Sequence, residues 1–122
     1  MTPREMLAPQ PAPEPGLHSV TDWLLELTPP DRDGELVREL LRLRREQGAA
    51  RYGGELMTSN GRSAIADQLQ EAVDLLLYAA QARQELQGRT ADWRMRIVYA
   101  LVVDLARELE QRPTASTVRG GR

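Results

Sequence analysis

Three interruptions, Pro29–Pro30, Gly53–Gly54 and Gly88, cut this chain into stretches whose apolar residues recur at helical spacing. Proline removes a backbone donor and a glycine pair ends a helix, so each break reads as a boundary. Between the breaks the chain is rich in Ala, Leu, Glu and Arg and poor in β-branched residues. Its aromatics are Trp23, Trp93, Tyr52, Tyr78 and Tyr99, so the core must be built from Leu, Val, Ile and Ala, as in helix-on-helix packing. A length of 122 residues supplies one small core. The expectation is an all-α fold of about four helices in a compact bundle.

The first helix starts at Ser19, with Asp22 completing a capping-box pattern, runs through "VTDWLLEL" and stops before Pro29. The second starts after Asp33, buries Leu36, Val37, Leu40, Leu41 and Leu43, and ends at Gly53. The third starts near Ser59 or Asn60 and runs to Gly88; Thr90 caps the fourth. The centre of the fourth, "IVYALVV", is apolar nearly all round, which predicts either a central helix or, favoured in so small a chain, a subunit interface. Trp23 and Trp93 read as core or interface anchors. Residues 1–16, "MTPREMLAPQPAPEPG", read as a Pro-rich flexible tail, 17–112 as the helical domain, and 113–122 as a second flexible tail.

A net charge of −2 gives no steer toward nucleic acid or an anionic membrane. The arginines of "RELLRLRREQGAAR" point all round their helix and are diluted by Glu35, Glu39 and Glu46, which also argues against nucleic acid. The absence of Cys excludes thiolate metal sites and cysteine nucleophiles. His18 lies outside any acidic cluster, which excludes a Glu-x-x-His di-iron bundle and a serine–histidine hydrolase. With no signal-peptide h-region and no apolar run of ~20 residues, the expected location is the cytoplasm.

The stretch "DQLQEAVDLLLYAAQ" places acids inside an apolar helix. With Asp67 at zero on a helical wheel, Glu71 falls at about 40°, Asp74 at about −20° and Tyr78 at about 20°. Ile65, Leu69, Ala72, Val73 and Leu76 take the opposite side, and Leu75 and Leu77 wall the stripe. No Arg lies three or four residues from Glu71 or Asp74. Like charges so spaced repel, so a cation should offset them: either an Arg from a neighbouring helix or a metal. Mg²⁺ takes oxygen ligands and keeps several waters, so two carboxylates three residues apart suit it. Geometry alone leaves the metal site and the ion-pair network both open.

"LQEAVDLLLYAAQA" resembles the second signature helix of the MazG-like all-α nucleotide pyrophosphohydrolases, E-x-x-D followed by leucines; Glu71 and Asp74 match the acids and Leu75, Leu76 and Leu77 the continuation. Arg51, Tyr52 and Gly53, then Asn60, Gly61 and Arg62, are similar to the R-Y-G and N-G-R that precede this helix in small phage members. The likeness covers roughly residues 34–90. It implies hydrolysis of a nucleoside triphosphate to a monophosphate and pyrophosphate, with Mg²⁺ (or Mn²⁺) held by carboxylates from two helices. It also implies a homo-oligomer, dimer or tetramer, in a cytoplasm that would be a host's if the protein is phage-encoded. The first signature, E-E-x-x-E, is incomplete: in "ELVRE" Glu35 and Glu39 hold the outer places and Leu36 replaces the second acid, while Glu46 stands at a more usual distance behind Arg45.

On this reading Glu71 and Asp74 are catalytic metal ligands, supported by Asp67 and by Glu39 or Glu46. Arg62, Asn60 and Arg51 contact the substrate, and Tyr52 and Tyr78 are candidates to stack on a base. "SNGR" suits a phosphate if it opens a helix, and an ordinary capped turn otherwise. The alternative function is a non-catalytic oligomeric bundle that binds a nucleotide or a protein.

Overall fold

The computed structural model describes residues 1–112, apart from the Tyr52 side chain. The tail expected over 113–122 lies outside the described residues. These form five helices and no strand: α1 (Pro3–Met6), α2 (Val20–Leu27), α3 (Arg32–Tyr52), α4 (Ala64–Leu86) and α5 (Arg89–Glu110). The all-α expectation holds, with one short helix more than the sequence pattern predicts. None of the described helices is long and apolar enough to cross a membrane. The chain divides into two compact units, one of Met1–Gln10 with the chain from Ser63 onward, the other of Pro11–Arg62.

In the first unit α4 and α5 form an antiparallel hairpin joined by Gln87 and Gly88. Gln87 turns the chain in the left-handed region, with φ 48°. Near the turn Arg83 meets Asp92 at 3.4 Å. At the other end Leu69 and Ala72 of α4 pack with Leu105 and Leu109 of α5, and Leu109 is 1% exposed. Gly88, rather than the expected Thr90, is the N-cap of α5, which leaves that end without a side-chain cap. The α4 helix begins at Ser63, whose hydroxyl accepts the Ala66 amide at 3.1 Å, not at Ser59 or Asn60.

The segment read as a Pro-rich tail contributes to this core. Thr2 and Glu5 cap α1 reciprocally, and hydrogen bonds from Thr2 hold the Glu5 carboxyl below its ordinary range. Met6 is buried among Leu69, Leu105 and Leu109. Gln70 Nε2 donates to the carbonyls of Met6 and Ala8, at 3.2 and 2.9 Å, which ties the next turn of chain to α4. Truncating Met6 to Ala removes most of that packing, so we expect Met6→Ala to lower stability by about 2 kcal/mol, measured by urea unfolding. A flexible tail would show no change.

In the second unit Ser19 caps α2 and Asp31 caps α3, accepting the amides of Asp22 at 3.1 Å and Gly34 at 2.7 Å. Gly53, with φ 80°, closes α3. Beyond it the chain returns antiparallel to residues 14–20, with amide bonds from Leu17 to Thr58 (3.0 Å), Thr58 to His18 (2.8 Å) and Val20 to Leu56 (3.1 Å). The second helix does not bury the residues expected of it. Leu36, Val37, Leu40 and Leu43 are exposed and Leu41 is half-buried, because the eight-residue α2 is too short to cover a partner of 21 residues. Trp23 and Trp93 are also exposed, so neither is a core anchor.

Candidate functional site

The acidic stripe has the geometry that its spacing predicts. Glu71, Asp74 and Tyr78 are exposed on one face of α4, while Leu69 and Ala72 on the opposite face are buried. Asp67, a turn nearer the N-terminus, is half-buried and accepts Gln10 Nε2 at 3.3 Å. Glu71 and Asp74 make no hydrogen bond or ion pair among the described residues. The two walls differ from a closed groove, since Leu75 and Leu77 are themselves exposed. Among the described residues no three His, Cys, Asp or Glu side chains are grouped to hold a metal ion.

The other candidate residues belong to the second unit. Glu39 and Glu46 are exposed on α3, and Arg51 is exposed in its last turn; the Tyr52 side chain lies outside the described residues. Asn60, Gly61 and Arg62 do not form the first turn of a helix. They make an Asx turn just ahead of it: Asn60 Oδ1 accepts the Arg62 amide at 3.1 Å, and Gly61 takes φ 81°. A side chain at position 61 would be strained by that φ and would also meet the Glu14 carboxylate at 2.9 Å. The backbone accounts for Gly61, so the anion-binding argument from a helix N-terminus does not apply to Arg62.

What the turn does is place Asn60 and Arg62 on the wall of a cavity of about 610 Å³, formed wholly within residues 11–62. Arg62 Nη1 donates to the Pro11 carbonyl at 2.6 Å. Leu41, Leu56 and Met57 give the cavity an apolar side, and Arg44, Arg45 and Glu55 add charge to its wall. These charges are not equivalent. Arg45 meets Asp22 at 2.7 Å and Glu55 at 3.7 Å, and the Asp22 carboxylate raises its guanidinium above its ordinary value despite the opposing effect of burial. Glu55 also accepts the Ser19 hydroxyl, so Arg45 and Glu55 form a clamp between α2, α3 and the returning chain. The Arg44 side chain is exposed and, among the described residues, bonds only its own helix, donating to Gln47 at 3.3 Å.

The structure brings Arg62 and Asn60 together on this wall, beside Arg44 and Arg45, which sequence reasoning did not place there. Their signal was the Arg-Arg pair one helical turn before Gly48, which lines the same cavity. No protein-family model, curated protein or solved structure matches the chain.

Proposed function

We propose that the protein is a metal-dependent nucleoside triphosphate pyrophosphohydrolase that releases a nucleoside monophosphate and pyrophosphate. The observation that carries this reading is the line of Asp67, Glu71 and Asp74 along α4, with Glu71 and Asp74 exposed and unpaired among the described residues. Their oxygen donors fit Mg²⁺, which completes its shell with water and phosphate oxygens, and Mn²⁺ suits the same ligands. When bound, the ion neutralises phosphate charge and acidifies water. Glu71 and Asp74 would hold it, and the MazG-like resemblance assigns further oxygens to Asp67 and to Glu39 or Glu46. Arg62, Asn60 and Arg51 are assigned to phosphates, and Tyr78 to a base. The exposed apolar residues of α5, Ile97, Tyr99 and Leu101, suit the homo-oligomer that the MazG-like resemblance implies.

The test is a panel of ribo- and deoxynucleoside triphosphates with Mg²⁺ or Mn²⁺, with products resolved by chromatography. Turnover should yield monophosphate and pyrophosphate and stop when the metal is chelated. Release of inorganic phosphate instead would sink the assignment. A second reading, a non-catalytic oligomeric bundle that binds a nucleotide or a protein, is favoured by one observation: Leu36 stands where the first acidic motif needs a second glutamate. It predicts no turnover with any nucleotide.

A further inference from the structure

We infer that the outer face of α3 binds the same face of a second copy of this chain, as a short parallel two-stranded coiled coil over residues 36–50. Between Gly34 and Arg51 the residues that are not exposed are Gly34, Arg38, Leu41, Arg45 and Gly48. They recur every four and three residues, and Arg38 and Arg45 bond Thr28, Asp22 and Glu55 of their own unit. On the other side Leu36, Leu40, Leu43, Gln47 and Ala50 follow the same four-three spacing, and all five are exposed. The first line is used within the unit. The second is a seam of the spacing that pairs two helices in a coiled coil. It begins at Leu36, because at the preceding seam position two copies of Asp33 would meet.

The charges beside the seam say what covers it. In a parallel pair, Glu39 on one flank lies against Arg44 of the second copy, and by symmetry the contact is made twice. Glu46 and Arg51 repeat the same signs one heptad further on. In an antiparallel pair the two glutamates would flank each other and the two arginines likewise, so like charges would meet. Charge therefore selects a self-complementary partner and its direction. Glu39 makes no hydrogen bond or ion pair among the described residues, and Arg44 bonds only Gln47 among them. The shape agrees: an open groove on this face is lined by Leu40, Leu43, Arg44 and Gln47, with Val37 and Leu41. The first four are the set that receives Leu43 of a parallel partner as a knob. Gln47, a polar residue in the seam that meets its own counterpart, fixes the register. Because α3 is already folded within its unit, pairing does not bear the cost of nucleating a helix.

The experiment is sedimentation equilibrium of the full chain from micromolar to millimolar concentration, without metal or nucleotide. The parent should dimerise. Leu40→Glu, at an exposed position, should weaken the dimer at least about thirtyfold with helical circular dichroism unchanged. Glu39→Arg and Arg44→Glu should each weaken it about tenfold, and the two variants mixed should associate as tightly as the parent, because each then supplies the charge that the other lacks. The chain has no Cys, so Ala50→Cys adds its only thiol, and mild oxidation should join it to its counterpart at the same position. The inference is overturned if the parent stays monomeric at millimolar concentration, or if Leu40→Glu dimerises as the parent does. It is equally overturned if the mixed charge variants gain nothing over either alone, or if Ala50→Cys joins only to a Leu36→Cys chain, the antiparallel result. The inference is independent of the pyrophosphohydrolase reading and of the apolar residues on α5: it gives Glu39 a partner other than a metal and leaves Glu71 and Asp74 untouched, so neither failure entails the other.

Discussion

Glu71→Gln is expected to lower triphosphate turnover by more than about 100-fold while leaving the helical circular dichroism unchanged. The substitution keeps the shape of the side chain and removes the charge that would hold the metal. Glu71 is exposed and makes no bond among the described residues, so its loss removes no packing. The stability effect has a definite sign. Asp67 and Asp74 lie four and three residues away, and like charges at those spacings cost a few tenths of a kcal/mol each. Neutralising Glu71 should therefore raise the unfolding midpoint slightly. A residue kept for stability would fall instead. A Gln variant that turns over at the parent rate would show that Glu71 holds no catalytic metal.

Gly34→Ala should destabilise the second unit by about 3 kcal/mol or more. At most first-turn positions of a helix, replacing Gly by Ala stabilises by about 0.5–1 kcal/mol. Here the added Cβ would overlap the Pro29 carbonyl oxygen and lie 2.9 Å from its carbon, with Asp31 Oδ1 at 3.1 Å. The obstacle is backbone, fixed by the adjoining prolines, so the start of α3 would have to retreat. That movement strains the Asp31 cap on the Gly34 amide and the bond from Arg38 to the Thr28 carbonyl. Urea unfolding, together with proteolysis mapped to residues 11–62, would report the loss. A midpoint equal to the parent's would mean that α3 does not start against Pro29.

The elements with unambiguous punctuation were legible in advance. Ser19 precedes an apolar octet that stops at prolines, and Gly53 follows a long helical pattern, so α2 and the end of α3 fall where expected. The faces of α4 follow from a 3.6-residue period, and its stripe is exposed as the wheel requires. The start of α4 was not legible, because Ser59, Asn60 and Ser63 are all good caps; a left-handed turn through Ser59 and Gly61 decides for the third. The α1 segment was missed for a different reason. Thr2 and Glu5 have capping-box spacing, but the prolines after them dominate the composition, and only the packing of Met6 against residues about a hundred positions away gives so short a helix a purpose. The exposed leucines of α3 are the reverse case. Periodicity predicts which side is apolar, not whether anything long enough lies against it.

The cavity was the least legible feature. Its wall draws on residues from Pro13 to Arg62 that no single helical pattern links, and the roles of Arg44 and Arg45 differ although they are adjacent. One points along its own helix to Gln47; the other is committed to acids from two other segments. Neighbouring identical side chains acquire different chemistry only through tertiary structure.

The first unit leaves the chain at Gln10 and resumes at Ser63, and these two residues are bound to each other. Gln10 Nε2 donates to the Ser63 carbonyl at 2.8 Å, and the Ser63 amide donates back to Gln10 Oε1 at 3.3 Å. Residues 11–62 are thus an insertion closed at its neck. During synthesis the inserted segment can fold from near neighbours as soon as it emerges, whereas Met6 must wait until Leu105 and Leu109 have been made. Met6 is therefore among the last of the described residues to reach its final contacts.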